Sequence, residues 1–234
     1  RGRGLRGKER ISMALNNFTF AEICQMIIVP AFFDTLKMLV ISGVLSTFLG
    51  FFVGVILIIT EKGGLCENVV VNRILDFIVN TVRSFPFIIL MVSIIPFTRL
   101  IVGTSIGDTA ALVPLTVAVT PFMGRIFQNS FKEVDPALIE AAKSFGASKA
   151  QIVVKVMLKE SVPSIISGLC LAIINLLGAT AMAGAVGAGG LGAVALTYGY
   201  QNFNQEIMYS ICVVLIVLVA AIQYFGDWIY KKLK

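Results

Sequence analysis

The chain of 234 residues contains no histidine, and that single absence removes a histidine general base, a Ser-His-Asp triad and a His-ligated metal site together. Charge is scarce too. Only 14% of residues are Asp, Glu, Lys or Arg, 57% are apolar, and mean hydropathy is +0.92, a balance outside that of ordinary soluble domains. Cys24, Cys66, Cys170 and Cys212 are scattered with no CxxC pair, so they read as small packing residues. No GxxxxGK[ST] loop occurs, which closes that route to holding ATP phosphates. Nor does any pair of carboxylates inside the apolar runs replace the missing histidine.

Long apolar runs are what the chain has in quantity. Roughly 20 such residues cross about 30 Å of hydrocarbon, and five runs qualify: about 35–60, 77–97, 109–127, 161–186 and 207–229. Pro86, Pro114, Pro121 and Pro163 interrupt the middle three. The expected fold is therefore all-α, a polytopic membrane protein with about five transmembrane helices. Lys132, Lys143, Lys149, Lys155 and Lys159 between the third and fourth runs, with Lys231, Lys232 and Lys234 at the end, mark the cytoplasmic side. Residues 98–108 hold only Arg99 and 187–206 hold no Lys or Arg, so both read as external. Five spans then place the N-terminus outside and the C-terminus in the cytoplasm.

The basic leader Arg1, Arg3, Arg6, Lys8 and Arg10 argues the other way, but no apolar core follows it directly, unlike a signal peptide, and Met13 is the expected start. Taking its five cations and Glu9 from 19 basic and 13 acidic residues leaves 14 against 12, so nothing favours a nucleic-acid partner. Residues 18–33 read as an interfacial approach halted by Pro30. The expected division is a leader and interfacial segment at 1–33, a transmembrane domain at 34–230 containing a cytoplasmic loop at 128–160, and a basic tail at 231–234.

A formal GxGxxG at 187–192 suggests dinucleotide binding only in isolation; it follows an apolar run rather than a strand, and reads as a closely packed external turn. Ser42, Ser46, Gly50 and Gly54 recur every four residues and form one small-residue helix face, for packing within the subunit or for a sliding interface. Asn175 in the fourth run needs a partner on another helix or a wet cavity, and Arg83 either lines a cytoplasmic vestibule or snorkels to headgroups. Met182, beside the glycine-rich turn, is a candidate constriction or an ordinary packing residue.

One polar island, 135–158, stands between the apolar blocks. Asp135 is a cap for a helix opening at Pro136, where the missing N–H is harmless, and Gly146 is a left-handed stop about nine residues on. Leu138, Ala141, Ala142 and Phe145 follow helical spacing and form an apolar stripe. Ser148-Lys149-Ala150-Gln151 fits a capping box that opens a second short helix towards the fourth run. Two helices hinged at glycine make a lever for an external partner to grip, or else an interfacial helix lying on lipid.

These residues resemble a known family. Glu140-Ala141-Ala142, Gly146 and Val156-x-Leu158 carry the spacing of the EAA motif of ABC importer permeases, and Arg83-Ser84-Phe85-Pro86, Val102-Gly103-Thr104-Ser105, Ala181-Met182-Ala183-Gly184 and Tyr198-Gly199-Tyr200 are similar to methionine-type members. The resemblance covers about 34–230 and departs from the pattern at Lys159, where the motif usually has proline. It implies a type I importer permease in a bacterial inner membrane, with Leu138, Glu140, Ala141, Ala142, Phe145 and Gly146 coupling it to an ATPase, and Met182, Asn175 and Arg83 as candidate pathway residues. It implies as partners a second permease copy, two ATP-binding subunits that hold ATP and Mg, an extracytoplasmic methionine-type binding protein and membrane lipid, with no cofactor on this chain. Permeases for another amino acid or small organic solute are the alternative; a passive channel or scaffold subunit and a membrane-embedded enzyme lie further off.

Overall fold

The computed structural model describes residues 20–233; the leader and the expected start at Met13 lie outside them. Among the described residues every regular element is helical. A turn at Phe20–Ile23 leads into α1, Cys24–Thr60. Then come α2 (Val69–Ser84), α3 (Phe87–Ser93), α4 (Ile95–Val102), α5 (Asp108–Lys132), α6 (Pro136–Ser144), α7 (Lys149–Ala185), α8 (Gly190–Val194, continued by a π-helical stretch Ala195–Gln201) and α9 (Gln205–Leu233). Of these, α1, α5, α7 and α9 are each long and apolar enough to cross a bilayer, and the bent pair α2–α3 makes a fifth crossing if it is one span.

Proline behaves differently from place to place, and the differences are physical. Pro30 does not halt the chain as expected. Cys24–Ile28 form a π turn in which the Val29 N–H donates back to the Cys24 carbonyl, and this wider spacing lets the proline pass within α1. Ile23, Ile28 and Ala31 are buried against Leu191, Val194, Ile207 and Ile211, so the segment taken for an interfacial approach is packed on protein. α5 runs through Pro114 and Pro121 without a break, and its Thr116 carbonyl accepts from the hydroxyls of Thr120 at 2.7 Å and of Ser46 on α1 at 3.3 Å. At Pro86 the helix ends: the Phe85 N–H donates to the Val82 carbonyl at 3.3 Å, Phe85 is extended (φ −73°, ψ 131°), as a residue preceding proline prefers, and α3 leaves α2 at 107°. The crossing expected as one run at 77–97 is therefore broken.

The core sits between α1, α5 and α7, where Met38, Leu115, Met123, Ala172 and Leu176 are fully buried. Small residues set that spacing. A Cβ on Gly50 would lie 2.3 Å from Met123 Cβ, and one on Gly54 would lie 2.5 Å from Phe127 Cβ, so the Ser42–Ser46–Gly50–Gly54 face is the seam between α1 and α5 within this chain. The glycine-rich turn is likewise a close approach: a Cβ on Gly192 would stand 2.2 Å from the Ala181 carbonyl oxygen, and the Leu191 N–H donates to Thr35 Oγ1 at 2.9 Å. Gly107 N–H donates to the Gly187 carbonyl at 2.9 Å, tying the α4–α5 loop to that turn. By contrast α9 leaves Val213, Ile216, Val217 and Tyr224 uncovered, the surface a lipid-facing helix presents. It runs as one helix through Lys231 and Lys232, so the basic tail continues the last span.

Candidate functional site

The chain between α5 and α7 folds by local rules. Asp135 accepts from the Ala137 N–H at 2.8 Å and Pro136 opens α6. At the far end Phe145 is the last near-helical residue and Gly146 turns left-handed at φ +74°. Ala147 N–H then donates to the Ala142 carbonyl and Gly146 N–H to the Lys143 carbonyl, each at 3.0 Å, the paired bonds of a Schellman motif. Ser148 N–H donates to Gln151 Oε1 at 2.8 Å and Gln151 N–H to Ser148 Oγ at 3.3 Å, completing the capping box. What the box opens is no short helix. It is the first turn of α7, 37 residues long, loosened by π-helical Ile152–Met157 and passing through Lys159 and Pro163 without a break. Displacement of α6 therefore bears directly on a membrane-crossing rod.

The apolar stripe divides in two. Ile139 and Ala142 turn inward onto a buried cluster of Phe127, Phe131, Ile152, Val153 and Met157, which seats α6 on the bundle end. Leu138, Ala141 and Phe145 face away, Phe145 being 91% exposed and Leu138 43%. Glu140 and Lys143 border a cavity of about 500 Å³ shared with the Glu61–Gly64 turn and Lys132. With no side chain of α6 buried, its order rests on its caps and on half-buried Ile139 and Ala142.

Of the candidate pathway residues, Arg83 and Asn175 come together and Met182 stays apart. Both line a cavity of about 580 Å³ bounded by the α2–α3 bend, α5 and α7, with Asn80, Ser84, Leu90 and Phe122. Arg83 lies over the Phe122 ring, its guanidinium carbon 5.6 Å from the centroid. Met182 stands two turns beyond Asn175 on the same face of α7, 48% exposed and outside that wall.

A polar network that the sequence reading passed over links three elements. Arg125 donates from Nη2 to Asp76 Oδ1, in a very short contact, and to Asn80 Oδ1 at 2.9 Å, and from Nη1 to Gln128 Oε1 at 2.7 Å. Gln128 Nε2 donates to Glu61 at 3.4 Å, and Lys132 pairs with Glu61 at 2.6 Å. The signal was present: Asn72, Arg73, Asp76, Asn80, Arg83 and Ser84 form one polar stripe on α2, and Arg125 sits inside the third apolar run.

Helical spans locked through glycine seams, with a separately capped helix seated on one end of a span, define a polytopic membrane subunit. The chain belongs to the family of binding-protein-dependent transport system inner membrane components, whose model matches residues 62–234. It is a multi-pass inner-membrane permease subunit of the ABC transporter class. It is 46% identical over 206 residues to the probable D-methionine transport system permease protein MetI of Vibrio cholerae, covering 88% of this chain and 92% of that one. The methionine import system permease protein MetP of Bacillus subtilis is 42% identical, over 74% of this chain and 78% of its own length. A structure of the inward-facing MetNI methionine ABC transporter matches at TM-score 0.89 and 44% identity, covering 91% of this chain and 99% of that one. An amino acid ABC transporter solved with histidines shares the fold alone, with TM-score 0.72 at 17% identity.

Proposed function

We propose that this permease carries methionine or a close analogue inward by ATP-driven alternating access, as one of two copies joined to two ATP-binding subunits and supplied by an extracytoplasmic binding protein. ATP and Mg belong to the ATPase partner. The observation that carries the reading is α6. A helix with both ends capped, seated by Ile139 and Ala142 yet showing Leu138, Ala141 and Phe145 outward, has the form of a rigid plug for a groove on a soluble subunit. Because only three residues separate Phe145 from the start of α7 at Lys149, motion of the plug reaches the membrane with little slack. In this reading Leu138, Glu140, Ala141, Ala142, Phe145 and Gly146 form the coupling element, with Ala142 acting from the inner side, and Arg83, Asn175 and Met182 belong to the pathway. The lysines around α6 and at the end of α9 support a cytoplasmic placement of both. The methionine assignment is supported by the likeness to the MetI and MetP methionine permeases and to the MetNI methionine transporter.

Ala141→Arg tests it. The position is exposed, so the chain should insert and extract as wild type, while copurification of the ATPase subunits and ATP-driven methionine uptake in proteoliposomes fall at least tenfold. Normal uptake by this variant would sink the coupling assignment. ATP-independent methionine flux through wild type would instead favour a passive channel.

A further inference from the structure

Arg83, the last residue but one of α2, is an exposed cation at the α2–α3 bend with no counter-ion. It lies 14 residues along α2 from Val69, and its partner ring Phe122 lies 14 residues from one end of α5 and 10 from the other, about 21 Å and 15 Å at 1.5 Å per residue. Asn175, on the far wall, is about 15 Å before the end of α7 by the same rise. Among the described residues the Arg83 guanidinium makes no hydrogen bond and no ion pair; its one recorded partner is the face of Phe122. The nearest acid on its own helix, Asp76, is taken by Arg125 and Asn80. No Asp or Glu lines the cavity, which otherwise offers the amide of Asn175, the hydroxyl of Ser84, and apolar walls from Leu90, Val119 and Phe122, while the Asn80 amide is engaged by Asp76 and Arg125. An unpaired cation facing a largely apolar cavity among the spans suits an anionic partner that arrives from elsewhere.

The geometry points to Arg83 as the group that receives the carboxylate of a small amino acid during its passage, with the Asn175 amide and Ser84 hydroxyl of the same cavity for the ammonium and the apolar wall for the side chain. This deepens the proposed importer reading and rests on it. The cavity of about 580 Å³ falls in the range of roughly 300–1,000 Å³ usual for small-molecule sites. A guanidinium suits a planar carboxylate through paired N–H donors, and the aromatic face holds it in place while the site is empty. Below it a second cavity, lined by Arg73, Asp76, Asn80 and Ser84, continues along the α2 stripe towards the end expected to face the cytoplasm.

The test uses the permease–ATPase complex in nanodiscs, without nucleotide or binding protein, so that selection by the binding protein plays no part. Bound radiolabelled methionine is displaced by unlabelled methionine or by methioninamide, which keeps the ammonium and side chain but lacks the carboxylate. Wild type should favour methionine at least tenfold, Arg83→Gln should bring the ratio to near one, and Arg83→Lys should keep part of it. An unchanged ratio in Arg83→Gln overturns the inference, as does equal weakening of both ligands, the mark of a structural role, or no displaceable binding to wild type. If Arg83 serves a lipid phosphate instead, binding changes between phosphatidylglycerol and phosphatidylcholine discs while the acid-to-amide ratio survives in Arg83→Gln, and the inference fails. ATP-driven methionine uptake by wild type, measured separately with the binding protein present, tells failure of this site from failure of the importer reading.

Discussion

Gly146 offers the sharpest test of how α6 transmits force, because the structure separates backbone from contact there. Its φ is +74°, and a Cβ built on it meets no atom within 4 Å. Gly146→Ala therefore changes only the penalty of the left-handed conformation, about 1–2 kcal/mol, which lowers the population of the capped state by roughly tenfold. Asparagine tolerates that region better and should lose less. Proline is held near φ −65° and lacks the N–H that donates to the Lys143 carbonyl, so Gly146→Pro removes the stop at about 3 kcal/mol or more. Since α6 has no buried side chain, this loss stays local and the bundle around Met38, Leu115 and Leu176 is untouched. In proteoliposomes holding the permease, its ATPase subunits and the binding protein, methionine taken up per ATP hydrolysed should fall in the order Asn, Ala, Pro, with Pro below one hundredth of wild type. Detergent melting midpoints should stay together. Alanine as damaging as proline, or proline with normal uptake per ATP, would refute the argument that the cap geometry transmits the stroke.

Three further outcomes follow from the packing. Gly50→Ala should lower the melting midpoint and the extraction yield by an amount equivalent to about 1–3 kcal/mol, because its Cβ would sit 2.3 Å from Met123 Cβ, while Gly43→Ala, 3.6 Å from Leu176 Cδ2, should be near neutral; equal midpoints would contradict the seam. Gly192→Ala should fail to give a folded, extractable chain, since a methyl would lie 2.2 Å from the Ala181 carbonyl oxygen, and a wild-type yield would show that the turn is looser than described. A double-mutant cycle of Asp76→Asn with Arg125→Gln, read by thermal melting, should return a coupling energy above about 0.5 kcal/mol; additivity would mean that the pair does not join α2 to α5.

The sequence by itself determined what depends on neighbours in the chain and on solvent. Asp135-Pro136, Gly146 and the Ser148–Gln151 box act within a few residues, so composition alone dictated α6 and its caps. Long apolar runs dictated the spans, because a backbone in hydrocarbon has to satisfy itself. Tertiary structure decided what depends on distant surfaces: whether Pro30 passes while Pro86 breaks its span, which face of α6 turns inward, and that Arg83 meets Asn175 while Asp76 is drawn to Arg125. A proline's effect follows from the backbone path that the packed helices allow, and an arginine's partner follows from helices up to a hundred residues away. No local pattern encodes either.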